Sequence, residues 1–220
     1  KEILKIGVPG MGVTLFPQLL RSVLTALAAS VGGAAAVAAI AVGSRIEGFV
    51  NIAISAIGVS IVPIVGQNWG AGHYDRVEEM RRLLNRYAPG LGLASLIVIN
   101  LAARPLASLF TQDPEVMGYA LTYLRWILIG FIGMNLYNWN GQAMNAIGKT
   151  MWTLGINAGG TVLVMMPALY LGAKVSFGWM MAALAIAQIL VGVFAIGIGR
   201  RQLQAPVQLD HQWDQQIEGA

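Results

Sequence analysis

Four charged side chains, Arg21, Arg45, Glu47 and Arg125, lie inside long apolar stretches of the chain. Hydrocarbon tolerates a charge only inside a helix bundle, along a polar cavity or snorkelling to an interface. Each of the four is therefore a candidate for ion pairing, proton handling or substrate contact. Arg45 and Glu47 stand two residues apart, about 200° around a helix, so they cannot neutralise each other. Each needs a partner on another helix. Counting 1.5 Å per residue from the outer helix ends puts Arg45, Glu47 and Arg125 all about 15 to 20 Å deep, which makes a Glu47 pair with Arg125 geometrically available. Such a pair would either latch two helices in register or take part directly in substrate or proton handling. Arg21, near the outer end of its stretch, is placed to snorkel or to line a cavity.

Uncharged polar groups form a second set. Asn135, Asn138, Asn140, Gln142 and Asn145 fall in one apolar run, where amides hydrogen-bond a solute or a neighbouring helix equally well. Asn135 and Asn138 are three apart, can share a face and are the better cavity candidates. Pro17 and Pro167 remove the donors of the Val13 and Leu163 carbonyls and are hinge candidates. Gly155 and Gly159 form a small-xxx-small pair expected at a close helix contact. Covalent chemistry is not expected. The chain has no cysteine, His73 and His211 lie in polar segments, and no nucleophile with a base, phosphate-binding loop or metal-ligand spacing occurs. No enzyme activity, resident metal or organic cofactor follows from these residues.

The elements that must position these groups are membrane spans. The chain is 56% hydrophobic and only 11% charged, with a mean hydropathy of +0.65, so the lipid bilayer is its solvent. Six transmembrane helices are expected, over about 6–29, 34–65, 83–103, 114–147, 151–171 and 178–198, the second and fourth long enough to tilt, kink or project. Lys1, Lys5, Arg76, Arg81, Arg82, Arg86, Lys149, Arg200 and Arg201 gather on one side, against Arg104 and Lys174 on the other. The cytoplasm keeps the positive loops, so both termini are expected there, in a bacterial inner membrane, with 202–220 a disordered polar tail. The basic residues flank spans and form no patch for nucleic acid. Asp75 and Glu78 have capping-box spacing, and Asp113-Pro114-Glu115 reads as an N-cap followed by a first-turn proline. Gly66, Gly70 and Gly72 are expected to turn the chain at the exit of the second span.

In order, Ile6-Gly7-Val8-Pro9, Gly43-Ser44-Arg45-Ile46-Glu47, Val65-Gly66-Gln67-Asn68-Trp69-Gly70-Ala71-Gly72, Leu109-Phe110-Thr111-Gln112-Asp113-Pro114-Glu115, Tyr123-Leu124-Arg125 and Asn145-Ala146-Ile147-Gly148-Lys149-Thr150 resemble the C-terminal half of a multidrug and toxic compound extrusion (MATE) transporter. The resemblance covers about residues 1–201. It implies an all-α integral membrane protein, a six-transmembrane-helix bundle forming one lobe of a twelve-helix transporter. The partner is a missing N-terminal lobe or a second copy, and a start at Lys1 without methionine is expected of a fragment. The function implied is secondary-active efflux of small amphipathic drugs or toxins by alternating access, coupled to H+ or Na+ antiport. Where many members carry cation-binding acids, this chain has Pro17 and about Met134, with Gln18 and Asn135 the polar residues nearby, so Glu47 remains the acid inside a span. Two alternatives stay open: a lipid-linked glycan flippase of the same superfamily, whose anionic substrate the arginines would suit, and a non-transport structural subunit with every charge paired.

Overall fold

The structure, a computed structural model, describes the backbone over residues 2–218 and the side chains over 13–203 apart from residue 53. The described elements are all helical: α1 (Glu2–Gly70), α2 (Tyr74–Ser108), α3 (Pro114–Ala146), α4 (Thr150–Gly159), a π-helical turn (Gly160–Met165), α5 (Met166–Ala173) and α6 (Phe177–Glu218).

α1 is not one rod. Gly32 (φ −131°, ψ 15°) and Gly33 (φ 58°, ψ −149°) leave helical geometry, and the second combination is one that only a residue without a β-carbon adopts readily. Arg21 meets Glu47 across this break. The two lie almost symmetrically about it, so α1 folds back into two antiparallel arms. Among the described residues five stretches are long and apolar enough to cross a membrane: Val13–Ile52, Tyr74–Ser108, Pro114–Ala146, Thr150–Ala173 and Phe177–Leu203. The first of them contains the reversal, and hence parts of both arms.

α3 is the axis of the bundle, packing on α6, α1 and α2. Half of its most apolar window is buried, against 17% for α2 at the edge. Its closest approach is to α6. A β-carbon on Gly133 would run into the Gln188 and Ile189 backbone, and one on Gly192 into the backbone of Gly133. Small residues let two helix backbones touch where lipid gives no hydrophobic drive for association. The close contact expected at Gly155 and Gly159 is not formed. Neither has an atom within 4 Å of a β-carbon position, and both line a groove of about 390 Å³ beside Leu163, Leu190 and Phe194.

Local signals met mixed outcomes. Asp113 caps α3, its Oδ1 accepting from the Glu115 and Val116 amides at 2.8 and 3.4 Å, with Pro114 opening the helix. The Asp75–Glu78 capping box does not form, because α2 starts at Tyr74, two residues before the Arg76 start that an Asp75 cap requires, and puts Asp75 inside its first turn. Glu78 is instead gripped by Arg81 Nε and Nη2, both at 2.7 Å. Of Gly66, Gly70 and Gly72, the first two remain helical and only Gly72 turns, with φ 76°. Pro17 causes no departure from helical dihedrals; the break in α1 is made by glycine. Pro167 is the second residue after the π-helical turn, where widening of the backbone accommodates a ring that would crowd the carbonyl four residues back.

α6 runs on to Glu218, where polar composition and Pro206 led to the expectation of a disordered tail. Pro206 has no N–H for the Gln202 carbonyl, and Lys149 Nζ supplies that bond at 2.8 Å. A helix that has its orphaned carbonyl filled from outside loses less at a proline.

Candidate functional site

Glu47, on the second arm of α1, is 3% exposed. Its Oε2 accepts a hydrogen bond from the Tyr123 hydroxyl at 2.6 Å. Its Oε1 accepts from Asn51 Nδ2 at 3.3 Å and from Arg21 Nη2 at 3.4 Å. The donors come from both arms of α1 and from α3, so one carboxylate joins three segments. Gly43, one turn before Glu47, makes this possible, because a β-carbon there would overlap the Tyr123 ring. Burial of an ionised group is tolerated when it is paired and its lone pairs are filled, and Glu47 meets both conditions.

The partner of Glu47 is therefore Arg21, not Arg125. Tyr123 precedes Arg125 by two residues, about 200° around the helix, so turning Tyr123 toward Glu47 turns Arg125 away. Arg125 is exposed. Arg45 is also exposed, with its guanidinium 5.6 Å from the centre of the Phe110 ring. Phe110 belongs to the link between α2 and α3, so Arg45 lies close to that link and its expected depth is overstated. The Arg21 side chain is 57% exposed and reaches inward only at its tip.

A second polar locus lies between the first arm of α1, the inner half of α3, α4 and α6. Pro17, Tyr137, Asn138 and Asn157 line two adjoining clefts of about 90 and 80 Å³. Thr161 and Gln188 complete the first; Gln142, Asn145 and Thr153 complete the second. Asn138 is exposed and faces the clefts, whereas Asn135 is 2% exposed and packs into the bundle. The pair expected to share a cavity is thus divided between cleft and core, since 60° of helical phase is enough to cross the edge of a buried face. Gln18 is exposed on the first arm, beside cleft-lining Pro17. Asn157 Nδ2 donates to the Thr153 carbonyl at 3.0 Å, while Asn157 Oδ1, Gln188 Oε1 and Asn145 Oδ1 are buried with no donor.

Several of these residues escaped sequence reasoning. Thr153, Asn157 and Thr161 were detectable as polar groups every four residues along an apolar helix, one face of which must then be polar. Tyr123 and Gln188 carry no comparable signal, because their roles depend on which helices become neighbours.

A model of the MatE family matches residues 9–171. The FAD transporter of Shewanella oneidensis is 30% identical over 203 residues, covering 91% of this chain and 44% of that protein. The probable multidrug resistance protein NorM of Aromatoleum aromaticum is 34% identical over 127 residues, 58% of this chain and 27% of that one. The bent form of the Vibrio cholerae MATE transporter VcmN superposes with a TM-score of 0.86 at 29% identity, covering 92% of this chain and 46% of that one. The chain spans less than half the length of each of these relatives.

Proposed function

Because this chain belongs to the MatE family of transporters, we propose that it acts as the C-terminal lobe of a secondary-active exporter of small amphipathic solutes, exchanging them for H+ or Na+. Its partner in this reading is a second six-helix lobe, against which it rocks to expose a shared path alternately to the two sides. The basic end of the bundle, with Arg76, Arg81, Arg82, Arg86, Lys149, Arg200 and Arg201, faces the cytoplasm of a bacterial inner membrane.

The observation that carries the reading is the buried Glu47 carboxylate held by Tyr123, Arg21 and Asn51. Protonation of Glu47 would cancel the charge that attracts Arg21 and reduce the Tyr123 contact from a charge-assisted to a neutral hydrogen bond. The tie between the arms of α1 and α3 would loosen, which couples a proton to helix movement. If more than one of Arg21, Arg45 and Arg125 faces the path, neutral or anionic amphipaths are favoured over cations. The test is dye efflux from proteoliposomes carrying the chain with its complementary lobe under an imposed proton or sodium gradient. Glu47→Gln is expected to lower gradient-driven efflux at least tenfold while the protein stays folded. Unchanged efflux would assign coupling to the other lobe and leave Glu47 a structural latch.

A further inference from the structure

The cleft beside Pro17 is not used by the Glu47 network, and among the described residues its lining contains no charged side chain. We propose that it is a binding subsite for an uncharged amide-like edge of the solute, a lactam, imide or carboxamide presenting an N–H beside a C=O.

The argument rests on the unfilled hydrogen-bonding capacity of the cleft. Asn157 is 3% exposed, and its amide orientation is fixed because Nδ2 donates to the Thr153 carbonyl; reversing it would set two acceptors against each other. Its Oδ1 therefore stays an acceptor, and it has no donor. The Gln188 amide is 6% exposed and lies over Gly130, where a β-carbon would collide with Oε1, so bare backbone on α3 makes the room it occupies. That oxygen also lacks a donor. Pro17 deprives the Val13 carbonyl of its usual helical donor on the wall of the adjoining cleft. The unfilled Asn157 and Gln188 oxygens select a ligand that brings N–H, and the amide N–H groups of Asn138 and Gln142 select one that also brings C=O. Among the described residues an anion would find no cation here, and a cation would find no carboxylate. At about 90 Å³ the space suits the edge of a ring, not a whole drug-sized molecule. Exposed Pro17 and Asn138 give it an opening to the surface of the lobe.

The proposal rests on the transport reading only in treating the ligand as cargo, and binding is measured without a gradient. The chain in lipid nanodiscs is titrated with a fluorescent aminomethylquinolinone lactam and with aminomethylcoumarin, the isosteric lactone in which ring oxygen replaces N–H. The lactam is expected to bind about tenfold tighter, as for a site whose acceptors are otherwise left unpaired. Asn157→Leu should erase that preference while leaving the weaker lactone affinity in place. Binding should be constant between pH 5.5 and 8.5 and unaffected by sodium, as for a pocket with no group titrating near neutrality. Equal affinity for lactam and lactone, no binding of either, or displacement by sodium overturns the proposal. Gradient-driven efflux could survive each of these results, so the subsite and the transport function fail separately.

Discussion

The Tyr123 hydroxyl and the Arg21 guanidinium address the same carboxylate, but their energetic weights differ. Tyr123 is buried and bonds at 2.6 Å, whereas Arg21 reaches 3.4 Å from a side chain 57% exposed. An ion pair stretched to 3.4 Å with one partner 57% exposed is weakly coupled, while removal of a 2.6 Å donor from a buried acceptor exposes its desolvation cost. Tyr123→Phe is therefore expected to destabilise the lobe by about 1 to 2 kcal/mol, and Arg21→Gln by less than about 1 kcal/mol. Thermal unfolding in detergent orders the two, and a larger loss at Arg21 would contradict this assignment. Glu47 was recognisable in the sequence as a lone acid in an apolar span, but its partner was not. Which residue faces it depends on the phase of α3 and the reversal at Gly33, and neither is written in the spacing of the charges themselves.

Among the elements, α3 and α6 carry the tightest constraint. At Gly133 and Gly192 each backbone fills the space where the other's β-carbon would go. Gly192→Ala is expected to cost about 2 to 3 kcal/mol or to prevent folding, since a packed interface has no room for an added methyl. Gly155→Ala should be neutral or slightly stabilising, because its β-carbon would meet nothing within 4 Å and alanine favours helix. Melting temperatures of the two variants check the contrast. The comparison also marks how far pattern reading reaches. Gly155-xxx-Gly159 satisfies the spacing rule and lies on an open groove, while the contact that forms pairs single glycines from helices distant in sequence. Signals confined to one turn, such as Asp113 with Pro114, were legible because all their atoms lie within a few residues; Asp75 failed when the helix start moved by two positions.

For the whole molecule, the arrangement of basic residues makes orientation testable. The chain contains no cysteine, so a single introduced thiol reports one site without background. Lys174→Cys, exposed in the link between α5 and α6, is expected to react with a membrane-impermeant maleimide on intact cells; His73→Cys, exposed at the opposite end, should react only after lysis. The reverse pattern would invert the topology. The reversal at Gly32 and Gly33 has a consequence in time as well as in space. Synthesis runs from the N-terminus, so Arg21 emerges before Glu47, and the two arms of α1 can enter the bilayer as a hairpin with the acid already facing its counter-charge. Tyr123 is made 76 residues after Glu47. Of the two donors, Arg21 is thus already made when Glu47 emerges, and Tyr123 can join it only once α3 follows.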